Sequence, residues 1–204
     1  IGCDETPVTV LMPRQLPTLV ADDPRSQREF EILQQSLAEG KRTLQGRMWA
    51  YRSIQLPINF FDFTLGRQRA GPDEVLQHYA GILVGDCWSG FQRIHLRTNE
   101  RITHAACWAH ARRYVYETLR NHPRQASVLL ALIQQLYDID DRGKTMSVTE
   151  RLALRQQESQ PIVTRIQEYL DREELQRVLP KSDLATALNY LRNQWDALGV
   201  FLRR

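Results

Sequence analysis

Cys3-Asp4-Glu5-Thr6-Pro7-Val8-Thr9-Val10-Leu11 and Gly81-Ile82-Leu83-Val84-Gly85-Asp86 are the two stretches that decide the fold. Each sets a carboxylate at one end of a short apolar run, the pattern of a buried strand bounded by turn chemistry. If the two strands lie side by side, Asp4 and Asp86 can face one another despite their distance in sequence. Two opposed carboxylates on rigid elements suit a divalent metal site for phosphoryl transfer. A hard cation such as Mg²⁺ takes oxygen ligands and keeps several waters, and a pair of such ions activates the attacking oxygen and stabilises the leaving one. The competing reading is that each Asp caps backbone groups at a strand end or turn.

Working outward, residues 6–12, 47–56, 58–65, 81–86 and 101–106 read as strands. The Leu56-Pro57 step suits a tight connection, so the second and third should pair as a hairpin. Pro72-Asp73-Glu74 is a good first helical turn between strands three and four, with Val75, Leu76 and Tyr79 as its apolar face. The polar stretch at about 13–45 holds a further helix, capped by Asp23 with Pro24 at its first position and closed by Gly40; Phe30, Leu33 and Leu37 turn it onto the sheet edge.

The order β-β-β-α-β-α-β predicts an α/β architecture, a ribonuclease H-like mixed sheet of five strands with strands one and four as central neighbours. Everything after about residue 107 reads helical: 108–121, 124–140, a long helix opened by the capping box Ser147–Glu150 and kinked at Pro161, and a last helix from Ser182 carrying Leu184, Leu188, Leu191, Trp195 and Leu198. The expected division is a catalytic core at 1–113, including the extension at about 13–45, and an all-α insertion domain at 114–204.

The 204 residues are 42% hydrophobic and 25% charged, as in a folded globular chain rather than a disordered one. A net charge of +3 says little about nucleic acid, but all except three of the 27 basic residues are arginine, the residue suited to bidentate phosphate contact. A coding sequence rich in G·C would give the same bias. Three cysteines with no C-x-x-C pair fit a reducing compartment rather than a disulfide scaffold. The apolar run 128–133 is cut short by Gln134-Gln135, so no membrane span is expected, nor is a signal peptide. The chain starts without Met and stops within an apparent helix at residues 201–204, which reads as a piece of a longer protein.

Other residues carry weaker signals. Glu5 follows Asp4 on a strand, so it should point away from the site, toward an arginine. Asp62 sits among aromatics and is expected to be solvent-facing or ion-paired, with a metal-adjacent position as the alternative. In Cys107-Trp108-Ala109-His110-Ala111-Arg112-Arg113 a helix begins, with His110 one turn in and facing the cleft of the Asp pair. His110 would then touch phosphate or a metal-bound water, and Arg112 and Arg113 would be phosphate contacts. The alternatives are a zinc site that recruits His104 and Cys87, a Cys–His nucleophile, or a buried junction with solvated arginines. Trp88 and Trp195 could stack on an unpaired base or simply fill the core.

Taken together, Cys3-Asp4-Glu5-Thr6-Pro7-Val8, Gly85-Asp86-Cys87-Trp88-Ser89-Gly90-Phe91 and Ala106-Cys107-Trp108-Ala109-His110-Ala111-Arg112-Arg113 resemble the insertion-sequence-66 (IS66) family of bacterial transposases. So do Glu150-Arg151-Leu152-Ala153-Leu154-Arg155-Gln156 and Asn193-Gln194-Trp195-Asp196-Ala197-Leu198, and the resemblance covers nearly the whole chain. The extension at about 13–45 resembles that of a subgroup.

The resemblance implies a ribonuclease H-like catalytic domain with three acidic residues and two Mg²⁺ (or Mn²⁺) ions, Asp4 matching the first acid and Asp86 the second. The third is a Glu in an Asn-Asn-rich motif that follows the helical insertion. That motif does not occur here, and Glu150, Glu158 and Glu168 lie within the insertion. The resemblance further implies double-stranded DNA as partner, a homo-oligomer assembled on that DNA, no small-molecule substrate, a bacterial cytoplasmic, nucleoid-associated location, and inactivity of this piece on its own. A nuclease without strand transfer and a non-catalytic DNA-binding remnant are the alternatives.

Overall fold

Strands β1 (Gly2–Leu11), β2 (Thr43–Arg52), β3 (Asn59–Thr64), β4 (Gly81–Gly85) and β5 (Ile102–Ala106) form one mixed sheet in the order β3-β2-β1-β4-β5. The computed structural model describes residues 1–203 other than Gln55, Cys87 and Gln92. β1 pairs antiparallel with β2 along its whole length, from Gly2 opposite Arg52 to Leu11 opposite Thr43. On its other side β1 runs parallel to β4, with Gly2 opposite Val84 and Cys3 opposite Gly85. The first and fourth strands are thus the central neighbours that the sequence order predicts.

Two strands differ from expectation by more than one residue, and β4 stops one residue short, leaving Asp86 just past its end. β1 begins at Gly2, so Asp4 lies inside the strand. β2 begins and ends four residues earlier than the expected 47–56, because its register is dictated by β1 rather than by its own composition. The expected hairpin is present, with Trp49 opposite Asp62 and Arg52 opposite Asn59. Its connection is closed by Ser53 N–H donating to Ile58 O (3.0 Å) around Pro57, which has no N–H to give.

Helix α1 (Pro24–Ala38) carries the foreseen cap: the Asp23 side chain accepts from Arg25 N–H, and Gly40 past the far end has a φ of 70°. Its arginines fasten it down, Arg25 to Asp62 of β3 at 2.9 Å and Arg28 to Glu74 of α2 (Ala70–Val75). Asp62 therefore takes the ion-paired role. A single turn, α3 (Ile94–Arg97), connects β4 to β5.

The core on this sheet is aromatic. Trp49 is 1% exposed, its Nε1–H donates to Thr64 Oγ1 (2.9 Å), and its ring lies 4.9 Å from that of Trp88. Phe91 meets Trp88 edge-on at 5.0 Å, a favoured aromatic geometry. Trp88 is thus a core residue. Gly90 packs directly on its ring, where an added Cβ would overlap the indole. Gly90→Ala should cost about 2 kcal/mol, the usual scale of overpacking, read as a lowered denaturation midpoint with altered near-UV circular dichroism.

The chain divides into two compact units, Ile1–His104 and Ala105–Arg204. The second is helical: α4 (Trp108–Glu117), α5 (Pro123–Arg142), α6 (Val148–Leu154), α7 (Gln160–Leu170), α8 (Glu173–Gln176) and α9 (Asp183–Asn193). Leu129, Ile133, Ile166, Leu184, Leu188 and Leu191 are fully buried within it. The kink expected at Pro161 takes the form of a π-helical turn at Arg155–Ser159, just before the proline. Widening the turn accommodates a residue that lacks an N–H and whose ring crowds the carbonyl four residues back. The last helix is shorter than expected: α9 ends at Asn193, and Trp195–Leu198 forms a separate turn in which Trp195 is half-buried.

The Ser147–Glu150 capping box is complete, each side chain bonding the other's backbone N–H. Ser147→Ala is expected to cost about 1 kcal/mol, measurable by chemical denaturation followed at 222 nm in the far-UV.

Candidate active site

Register brings the two predicted acids to adjoining positions. Cys3 and Gly85 are opposite one another; Asp4 is the next residue on β1 and Asp86 the next after β4. Asp4 is exposed, and its Oδ1 accepts from Glu5 N–H at 2.8 Å. Asp86 is fixed more firmly. Its Oδ1 accepts from Trp88 N–H (3.1 Å), a turn that Asp side chains favour. Its backbone carbonyl lies 3.2 Å from His104 Nε2. Burial pushes the His104 imidazole below its ordinary pKa, so the neutral ring with the proton on Nε2 is the donor. The second carboxylate oxygen, Oδ2, faces Arg67 at 3.7 Å.

Glu5 points to the other face of the sheet from Asp4, as alternation requires, and reaches arginine as expected. It pairs with Arg67 and lies 3.7 Å from Arg47 Nε. Sequence reading missed that Arg67 also faces Asp86, so Glu5 and Asp86 share one guanidinium. Glu5 is 10% exposed at its side chain, and burial raises its pKa against the pull of Arg67 and Arg47, with the charge of Asp86 adding to the rise. Arg67 sits just beyond β3, its guanidinium 5.6 Å from the centre of the Trp88 ring. Only a Gly-Arg-Gln-Arg loop composition marks it in the sequence.

Cys3 reports the combined field. Its buried thiol is pushed up to about 12, first by burial, then by the charges of Asp86 and Asp4, with Glu5 also contributing. Three carboxylates therefore act on one sulfur.

Asp4 and Asp86 are both carboxylates that reach solvent, the donor type of a hard divalent ion, but Asp86 turns toward the Arg67 that Glu5 holds, on the face of the sheet away from Asp4, so the register alone does not bring the two carboxylates together. Among the described residues no group of three His, Cys, Asp or Glu side chains is arranged to hold a metal ion. Cys87, named above as a zinc-site recruit, lies outside the described residues.

The remaining predicted residues belong to the helical unit. Cys107 precedes α4, and its thiol is held below the ordinary range, chiefly by a hydrogen bond to the His110 side chain, against the effect of burial. His110 is half-buried, while Arg112 and Arg113 are exposed on α4. Glu150 is engaged in the capping box and Glu158 pairs with Arg142.

A mixed sheet of order β3-β2-β1-β4-β5 with flanking and inserted helices is a ribonuclease H-like fold. The chain belongs to the IS66 family of transposases, whose members are of the DDE type: a sequence model described as "Transposase IS66 family" matches residues 29–204. Asp86, His110, Arg112 and Arg113 lie within that match; Asp4 and Glu5 precede it.

Two uncharacterized proteins of Sinorhizobium fredii (strain NBRC 101917 / NGR234) are similar. Protein y4hP is 27% identical over 180 residues, covering 78% of this chain and 32% of that protein. Protein y4qI is 30% identical over 184 residues, covering 82% of this chain and 33% of that protein. The chain thus spans about a third of the length of these relatives. No solved structure matches. Among the described residues no helix is long and apolar enough to cross a membrane.

Proposed function

We propose that this chain carries the first two acids of a metal-dependent DNA transposase. In the full-length protein they would serve to cleave the ends of a mobile element and join the freed 3′-hydroxyl to target DNA. The observation that supports this reading is the match of residues 29–204 to the IS66 transposase family, on a sheet in which β1 and β4 are parallel neighbours, with Asp4 one residue past the paired Cys3 and Asp86 one past Gly85. Asp4 and Asp86 would hold Mg²⁺ (or Mn²⁺), which when bound lowers the pKa of an attacking water and offsets charge developing at phosphorus.

The protein's own part is placement. Trp88 N–H fixes the rotamer of Asp86, His104 holds its backbone, and Trp49 and Phe91 hold Trp88. Asp4 presents its carboxylate from within β1, opposite Ala50 of β2. The third acid would come from elsewhere in the full-length protein, and residues 1–204 alone would be inactive.

The division into a catalytic core at 1–113 and an insertion domain at 114–204 belongs to the same proposal. So do Arg112 and Arg113 as phosphate contacts, His110 as support near the scissile phosphate, a homo-oligomer on double-stranded DNA, and a place at the bacterial nucleoid.

The test is to incubate full-length protein with element-end duplex, a target plasmid and Mg²⁺. Products with element 3′ ends joined to target support the reading. Hydrolysis without joining would assign a nuclease, and binding with no Mg²⁺-dependent cutting would assign a non-catalytic remnant.

A further inference from the structure

The helical unit holds a cavity of about 160 Å³, lined by Trp108 of α4, Leu136, Tyr137 and Asp140 of α5, Arg155 of the π turn and Phe201 of the last turn, Val200–Leu202. It is smaller than the roughly 300–1,000 Å³ of a pocket for a drug-sized ligand, so it suits one ring or two fused rings. Trp108, Tyr137 and Phe201 are each only half-buried, so packing does not use up their rings. Trp108 is nevertheless fixed: its Nε1–H donates to Leu198 O (3.1 Å), and its ring meets that of Phe201 edge-on at 6.4 Å. The polar edge of the cavity is Asp140 with Arg155. Arg155 Nε and a terminal nitrogen both donate to Asp140 Oδ1, at 3.0 and 2.5 Å, and among the described residues none donates to Oδ2. Asp140 is 46% exposed at its side chain, so that oxygen belongs to a carboxylate open to a ligand.

We propose that this cavity takes a single unpaired nucleobase of DNA, stacked on Trp108 and bonded at its edge by Asp140 Oδ2. DNA as the source of the base rests on the transposase reading. The lining selects against other occupants. A purely apolar group would cover Asp140 and Arg155 without bonding either, which leaves buried polar groups unpaired. A cationic side chain would meet Arg155, whose guanidinium already lies 5.7 Å from the centre of the Phe201 ring and holds Asp140 Oδ1. A base offers both things the cavity lacks: a π face for the indole, and an exocyclic amino group to donate to Oδ2, as cytosine N4 does to a carboxylate. Adenine, cytosine and guanine carry such a group. Thymine carries only a ring N–H between two carbonyl oxygens, which a carboxylate repels. Arg112 is exposed on α4 and its charge acts on Tyr137, so a cation stands near the rim for the phosphate of the same nucleotide.

The experiment measures, by fluorescence anisotropy, binding of the chain to a short DNA duplex with one bulged base, A, C, G or T, against the same duplex fully paired. Free deoxynucleoside monophosphates serve as competitors. Bulged A, C or G should bind about tenfold more tightly than the paired duplex, the scale of one base–aromatic stack, and bulged T should gain least. Trp108→Leu should remove the preference for a bulge, and Trp108→Phe should keep most of it. Asp140→Asn should invert the order of bases: its amide oxygen stays with Arg155 and its NH₂ takes the place of Oδ2, so thymine gains and the amino-bearing bases lose. A measurement on wild type guards against a misfolded variant. With 5-iodocytosine at the bulge, irradiation should cross-link the base to Trp108, Tyr137 or Phe201, read by mass spectrometry of the peptides.

Equal affinity of wild type for bulged and paired DNA, a bulge preference that persists in folded Trp108→Leu, or cross-links confined to residues outside the cavity overturns the inference and leaves the transposase reading standing. Mononucleotides that bind as tightly as the bulged duplex would assign the cavity to a free nucleotide and overturn it too. The transposase reading fails separately, when the full-length protein yields no joined products although the chain still prefers the bulged duplex, and that result leaves the base pocket in place.

Discussion

Asp86→Asn in the full-length protein should reduce Mg²⁺-dependent strand cleavage about 10³-fold, while DNA affinity measured without metal stays within about twofold of wild type. The size follows from what a metal-bound carboxylate contributes: loss of about 4 kcal/mol of transition-state stabilisation corresponds to about three decades in rate. The selectivity follows from geometry. The amide oxygen of Asn can still accept the Trp88 N–H that fixes the native rotamer, so the turn after β4 is kept while the charge is lost. Asp4→Asn should behave alike, because Asp4 is exposed and its structural bond, to Glu5 N–H, is also one an amide oxygen can accept. Glu5→Gln is the informative contrast. Glu5 faces Arg67 and Arg47 rather than solvent, so its loss should slow cleavage by less than about tenfold, the scale of one displaced charge partner rather than a lost ligand. The measurement is initial cleavage of end-labelled element DNA over a Mg²⁺ titration, with gel-shift affinity as control. Retention of cleavage within tenfold of wild type by Asp86→Asn would remove Asp86 from the site.

The sequence made the centre of the sheet legible and its periphery less so. The apolar runs around Cys3–Leu11 and Gly81–Gly85 are bounded by turn residues on both sides, and their pairing follows from the order of elements. The bounds of β2 were not legible, because a strand's limits depend on its partner: the stretch 43–46 becomes strand only because β1 offers Val8 through Leu11 to pair with. Caps were read well at Asp23, Ser147 and Ser182, since each is a local bond between a side chain and a backbone N–H two or three residues on. The same locality explains what was missed. Period-two alternation correctly sent Glu5 to the other face from Asp4, but no local pattern tells that a loop arginine beyond β3 spans Glu5 and Asp86 at once. The π turn before Pro161 was legible as a disturbance and not in kind, because a kink and a widened turn both relieve the same missing N–H.

Trp49→Ala should unfold the sheet unit under conditions where wild type is stable. Trp49 is the largest fully buried side chain of the protein, and removing such a side chain costs about 3–5 kcal/mol from lost transfer energy and the cavity left behind. Two further losses add to this at the same place. Thr64 Oγ1 loses the indole N–H it accepts, keeping only its own bond to Gly66 O (2.6 Å), and Trp88 loses the ring 4.9 Å away that holds it over the site. Because a domain of this size is stable by only about 5–15 kcal/mol, such a loss takes up a large share of the total. At about 4–8 °C per kcal/mol for a unit near 100 residues, the midpoint should fall by roughly 20 °C. Trp49→Phe separates the contributions: it keeps an aromatic ring in the core and removes the N–H, so it should cost about 1–2 kcal/mol. Thermal unfolding followed by near-UV circular dichroism, where the paired tryptophans absorb, gives both numbers. A midpoint shift below about 5 °C for Trp49→Ala, smaller than about 1 kcal/mol would produce, would mean that the cluster of Trp49, Trp88 and Phe91 does not anchor β2 beneath the acids, and that the rigidity ascribed to Asp86 has another source.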